Sequence, residues 1–168
     1  DRYDYARAIR VFPESTSARL HFKVKVDNAG RDGMEVEVTD RHGNRPVRLV
    51  FAADGWVRAM DGGRMVDLRR YAEAAWLDLE LDVRTGGPGY GRFSVSIDGA
   101  VVLHDAQMAE AVRSVERISF RTGPFRNEPN RRLDRYDPGL KDLAGADTPV
   151  AEAVFLVSFQ GAESSRND

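Results

Sequence analysis

The chain has 168 residues, of which 42% are hydrophobic and 31% charged, with a formal net charge of -2. That length suits one substantial core and hence one domain, and no apolar stretch is long enough to form a membrane-spanning helix. The near-neutral charge provides no global attraction to nucleic acid, and the absence of cysteine excludes a disulfide framework, a thiolate metal site and a thiol nucleophile.

In chain order the pattern is one short strand after another. Ala6 to Phe12 reads as a first strand ended by Pro13, followed by the polar link Ser15-Thr16-Ser17. From Arg19 to Asp27 a side-chain period of two sends Leu20, Phe22, Val24 and Val26 to one face and the charged residues to the other. Met34 to Thr39 alternates again and is expected to form a hairpin with the preceding strand, before a turn at Asp40-Arg41-His42-Gly43-Asn44. Val47 to Phe51, Trp56 to Met60 and a strand or irregular segment from Arg64 to Leu68 follow, separated by Asp54-Gly55 and Asp61-Gly62-Gly63, with the spacing of a meander.

Arg69 to Ala75 holds fair helix formers but is too short for more than a turn or two. Trp76 to Arg84 is a long strand with Leu77, Leu79, Leu81 and Val83 on one side and Asp78, Glu80 and Asp82 on the other. After the glycine-rich loop Thr85 to Gly89 come Phe93 to Ile97, the turn Asp98-Gly99 and a returning strand Val101 to Leu103. His104 to Arg113 is polar and is expected to hold a helical turn, and Val115 to Arg121 is the next strand. The pattern breaks from Thr122 to Thr148, and Ala153 to Phe159 is a last apolar strand.

About ten to twelve such strands imply two packed antiparallel sheets, because a single exposed sheet of that size would leave an apolar face wet. The expected fold is all-β, a two-sheet antiparallel β-sandwich over residues 1-160, with 161-168 as a tail or linker and the first and last strands neighbours near the middle of one sheet. The chain starts at Asp1 without an initiator Met or a signal peptide, so it reads as a processed form or a piece of a longer polypeptide.

Chemistry is concentrated after Phe120. Arg121, Arg126, Asn127, Glu128 and Arg131 place arginines, an amide and a carboxylate in one short span, where Glu128 can orient one guanidinium and leave others to grip a carboxylate or sulfate. The competing reading has these arginines pin the loop by pairing with Glu128, Asp134 or Asp137. Of the 25 basic residues 22 are arginine, which suits anion binding but also follows from GC-rich coding. Trp56, Tyr71, Trp76 and Tyr90 are candidates for a stacking platform under a sugar ring. Tyr90, beside glycines, is the one expected to be exposed, whereas the tryptophans are expected to fill the core or a sheet edge.

His21, His42 and His104 lack metal-ligand spacing and read as solvated. The Asp-Gly pairs read as turns rather than calcium ligands. Glu35, Glu37, Asp78, Glu80 and Asp82 could present an acid pair on a concave sheet, but interleaved Arg and Lys favour a solvated face. No Ser-His-Asp order, phosphate loop or His-Glu metal motif is present.

The Arg-Val-Phe-Pro strand, the Gly-Asn-Arg-Pro-Val-Arg-Leu-Val-Phe stretch, the Trp76 strand, Ser-Val-Ser-Ile-Asp-Gly and above all Arg117-Ile118-Ser119-Phe120-Arg121-Thr122-Gly123-Pro124-Phe125-Arg126 resemble concanavalin A-like (laminin G-like) jelly-roll sandwich domains. The resemblance is to those appended to bacterial secreted polysaccharide-active enzymes of sialidase-like or polysaccharide lyase type. It implies a secreted or periplasmic, non-catalytic module that binds acidic polysaccharide or braces an adjacent catalytic domain; the charge and hydropathy above point away from nucleic acid and membrane as partners. No catalytic residue is carried over, since the Glu-x-Asp-x-x-Glu pattern of sandwich glucanases is missing. No cofactor is expected, and a structural calcium is left open. The alternatives are a catalytic sandwich, lyase or glycoside hydrolase, and a purely structural interdomain brace.

Overall fold

The computed structural model describes residues 7-26, 33-86 and 89-122. They form ten strands: β1 (Arg7–Ser15), β2 (Ser17–Lys25), β3 (Met34–Thr39), β4 (Val47–Phe51), β5 (Trp56–Asp61), β6 (Arg64–Arg70), β7 (Trp76–Arg84), β8 (Arg92–Ile97), β9 (Ala100–Gln107) and β10 (Val115–Thr122). A six-stranded sheet has the order β1-β10-β3-β4-β5-β6, and a four-stranded sheet the order β2-β7-β8-β9. All pairings are antiparallel. The fold is an all-β two-sheet sandwich.

The period-two pattern explains the two layers. Leu20, Phe22 and Val24 of β2, Leu77, Leu79, Leu81 and Val83 of β7, and Phe93, Val95 and Ile97 of β8 turn inward against Val36, Val38, Leu49, Phe51, Val57, Ile118 and Phe120 of the larger sheet. Phe22 and Phe120 meet edge to face across the two layers, with centroids 5.3 Å apart. The strands from β3 to β6 make the expected meander, and β8 and β9 the expected hairpin. Asp98 (φ 50°) and Gly99 (φ 77°) are both left-handed, the geometry whose twist matches a two-residue hairpin.

Four expectations are corrected. The strands β2 and β3 do not form a hairpin: β2 pairs with β7 over its whole length, and β3 pairs with β10 and β4 in the other sheet. Alternation gives each strand a dry face but carries no information about which partner covers it. Pro13 does not end the first strand, because among the described residues β1 has β10 as its only neighbour and its register is irregular between Val11 and Ser15, so a missing N–H is tolerated. Residues 69-75 contain no helix, since Arg69 and Arg70 complete β6 and a turn follows. Likewise β9 runs on to Gln107 where a helical turn was expected. The Ala153 to Phe159 strand, and with it the pairing of first and last strands, lies outside the described residues.

The chain passes from the larger sheet to the smaller through Thr16 alone. Ser15 Oγ donates to Ser17 O at 2.5 Å, and Thr85 N donates to Thr16 O at 2.9 Å, so this corner is tied to the end of β7.

Candidate functional site

Each sheet has one face turned away from the core, and the two outer faces carry different electrostatics. On the larger sheet Glu35 and Glu37 point outward from β3, because Met34, Val36 and Val38 point in. Arg121 lies opposite Glu35, Ser119 lies opposite Glu37 on β10, and Arg48 lies opposite Glu37 on β4. Arg121 Nη2 donates to Glu35 Oε2 at 2.7 Å, and Arg48 Nη2 donates to Glu35 Oε1 at 2.7 Å. Arg45 Nη1 donates to Glu37 Oε1 at 3.1 Å, and the Ser119 hydroxyl to Glu37 Oε2 at 3.3 Å. All six side chains are buried, Glu35 to 1% and Arg121 to 5% of full exposure. These carboxylates are therefore neither a solvated face nor a free acid pair. Two guanidiniums on one carboxylate make an internal brace, since a buried charge is tolerated only when paired and hydrogen-bonded.

The outer face of the smaller sheet is open and ordered in register. Arg19, His21 and Lys23 of β2 stand opposite Asp82, Glu80 and Asp78 of β7. On β8, Ser94 stands opposite Asp82 and Ser96 opposite Glu80. Cation, carboxylate and hydroxyl thus follow one another across the strands. His21 Nε2 is hydrogen-bonded to Asp78 Oδ1. Lys23 Nζ is 3.8 Å from Asp78 Oδ2 and Arg19 Nε is 3.6 Å from Glu80 Oε1, separations that balance charge without saturating the carboxylates by hydrogen bonds. A depression of about 200 Å³ opens here, lined by His21, Asp78, Glu80, Ser96 and Gly99. It is smaller than the roughly 300–1,000 Å³ of pockets for drug-sized ligands, so it has room for one small polar ring or part of one.

The turn Asp98-Gly99 at one edge of the depression is fixed from two sides. Asp98 N donates to Asp78 O at 2.7 Å and Asp78 N donates to Asp98 Oδ1 at 3.0 Å, while Arg69 Nη1 reaches Asp98 Oδ2 at 2.8 Å from the other sheet. Among the described residues no group of three or more His, Asp or Glu is placed to hold a metal ion.

Of the binding residues expected from the sequence, Arg121 and Tyr90 are among the described residues, and these two lie apart. Arg121 pairs with the buried Glu35, and the carboxylates suggested for it further along the chain lie outside the described residues. Tyr90 is exposed at 54%, as expected, in the link between β7 and β8. That link lies at the end of the sandwich where Ser17 pairs with Arg84 and Ser15 with Val115, whereas Arg121 is at the far end of β10, roughly 20 Å along the strand. Arg126, Asn127, Glu128 and Arg131 lie outside the described residues.

Sequence reasoning missed the polar ladder. Its signal is the matched alternation of Arg19-His21-Lys23 with Asp78-Glu80-Asp82, which becomes a contact only once β2 is known to pair with β7. The tryptophans also divide. Trp76 is 47% exposed on the outer face of β7, while Trp56 is half-buried beneath the Arg70 guanidinium, 5.2 Å from its ring centroid.

The sandwich thus has buried ion pairs around Glu35 and Glu37 on one outer face and an open polar ladder on the other. A family model, "Sialidase-like, CBM domain", matches residues 1–135, and the chain belongs to that family of carbohydrate-binding-module domains. Among solved structures, a sialidase superposes with a TM-score of 0.72 at 21% identity, covering 98% of this chain and 15% of its own. A toad ovary galectin in complex with thio-digalactose gives a TM-score of 0.50 at 9% identity, covering 70% and 93% of the two chains. An endo-β-1,4-glucuronan lyase from the fungus Trichoderma reesei gives 0.48 at 13% identity, covering 71% and 62%. At these identities the likeness is one of fold, and this chain spans about 15% of the length of that sialidase chain. No curated protein sequence matches significantly.

Proposed function

We propose that this chain is the non-catalytic carbohydrate-binding or bracing module of an exported glycan-degrading protein, and that its ligand is an acidic polysaccharide. The observation that carries the reading is the family match over residues 1–135, a span that contains all ten described strands. The same fold as part of a sialidase chain supports a place beside a catalytic domain, and the galectin complex with thio-digalactose supports a sugar as partner. The basic stretch that includes Arg126 and Arg131, with Asn127 and Glu128 between them, supports an anionic ligand, because guanidinium forks pair bidentately with sugar carboxylates and sulfates.

Affinity electrophoresis through gels containing polygalacturonate or a sulfated glycan tests this. The expected result is retention that weakens with salt and weakens in Arg126→Ala and Arg131→Ala. Unchanged retention in both variants would remove the basic stretch from the binding surface. Migration unaffected by every glycan, or release of new reducing ends or unsaturated sugars by the chain alone, would contradict the proposed role.

A further inference from the structure

The open face of the four-stranded sheet combines three properties. It has a concave polar floor, carboxylates with acceptor capacity to spare, and exposed apolar side chains beside it. The floor is the depression between β2, β7 and β8. Its acceptors are Asp78, held in orientation by His21, and Glu80, with the Ser96 hydroxyl beside them on β8.

The flanks follow from register. Trp76 precedes Asp78 by two residues, so it shares the outer face of β7, roughly 7 Å along the strand. Val101 stands opposite Ser96 on β9. Trp76 is 47% and Val101 63% exposed. Hydrogen-bonding groups at the centre and an indole and an aliphatic side chain at the edges match a pyranose ring, whose rim is hydroxyl and whose faces are C–H.

Charge selects between sugars. Asp78, Glu80 and Asp82 are matched three to three by Arg19, Lys23 and Arg84, so these ion pairs offer an anion no surplus of positive charge. A sugar carboxylate set into the floor would meet Asp78 and Glu80 directly, whereas neutral hydroxyls can donate to both. The donors and acceptors all sit on paired strands and on the tethered turn Asp98-Gly99, so little order has to be created on binding.

We propose that this face is a second carbohydrate subsite, distinct from the basic stretch after Phe120. It takes one neutral pyranose unit, with Trp76 as its apolar platform, Asp78 and Glu80 as acceptors from vicinal hydroxyls, and Ser96 as an auxiliary partner. His21 is a positioning residue that acts through Asp78. The assignment rests on the carbohydrate-binding reading above, and it specifies a ligand chemistry and a face of its own.

The test uses the full chain titrated with neutral gluco-, galacto-, manno- and xylo-configured oligosaccharides, read by calorimetry and by tryptophan fluorescence in a Trp56→Phe background, where Trp76 is the sole indole. At least one series should give saturable binding with a change in Trp76 emission. That binding should weaken about tenfold in Trp76→Ala and fall further in Asp78→Asn combined with Glu80→Gln. Thermal melting of Trp76→Ala should match that of the parent, as expected for an exposed side chain, and retention on anionic polysaccharide should persist. Neutral-sugar binding undiminished in both variants would place the sugar elsewhere and overturn the subsite. Binding of anionic glycans alone would overturn it while leaving the carbohydrate-binding role standing, and binding of no glycan at all would overturn both.

Discussion

Glu35 shows how much one side chain can be asked to hold. It lies between the guanidiniums of Arg48 and Arg121, and all three are almost fully buried. Removing the carboxylate leaves two buried cations without that counterion. Glu35→Ala should therefore destabilise the sandwich by about 3–5 kcal/mol, the usual cost of breaking a buried pair from one side, measured by urea unfolding. A loss within the range of an ordinary surface substitution would show that these cations are hydrated and that the network is no brace. The network was half legible in the sequence. The alternation of Met34 to Thr39 placed Glu35 and Glu37 on one face, but their burial depends on partners from β4 and β10, about which local pattern is silent.

Tyr71 offers a second prediction at this scale. Its ring packs edge to face on Phe51, its hydroxyl donates to Ala52 O at 2.8 Å, and burial, followed by the nearby charges of Asp54 and Glu73, pushes its pKa up to about 12. A phenol whose folded pKa lies above its ordinary value near 10 gives stability that is complete below about 10 and is lost as pH rises toward 12. Tyrosinate absorbance should thus show a late phase that disappears in Tyr71→Phe. A late phase that survives the substitution would contradict the assignment. Tyr71 also shows why the aromatic residues other than Tyr90 could not be sorted in advance, since on a strand or at its end exposure depends on what packs against the ring and not on the neighbouring residues.

At the scale of elements, turn chemistry was the most legible feature. Asp54-Gly55, Asp61-Gly62 and Asp98-Gly99 all mark reversals, and each of these glycines has positive φ. Gly91 is different, because its role is space. A Cβ there would come within 2.5 Å of both Arg84 O and Met108 Sδ, where Met108 N donates to Gly91 O at 3.0 Å. Gly91→Ala should force β8 away from β7 and β9, lowering stability by about 1–3 kcal/mol as overpacking does, visible as a lower urea midpoint. An unchanged midpoint would mean that this end of the sheet yields freely. Nothing in the sequence around Gly91 separates it from its loop neighbours, because the crowding comes from Met108, which is distant along the chain. The same limit explains the β2–β3 error: two adjacent amphipathic strands read as a hairpin unless something shows that the chain changes sheets between them.

For the whole molecule, period-two alternation dictated two layers closing over one core, and that much could be read directly. Which acids on the outer faces are buried and which are open could not, because both faces carry alternating acids and bases. Glu35-Val36-Glu37 and Asp78-Leu79-Glu80 look alike as strings, yet one pair is buried under arginines and the other borders a depression. The account rests on the claim that this sandwich, taken alone, holds a glycan on its surface without cleaving it. Isothermal titration of the 168-residue chain against anionic and neutral glycans, followed by product analysis of the same samples, tests it most directly. The expected result is saturable heat with at least one glycan and no new reducing ends or unsaturated sugars. Flat thermograms across the panel, or accumulating cleavage products, would contradict it.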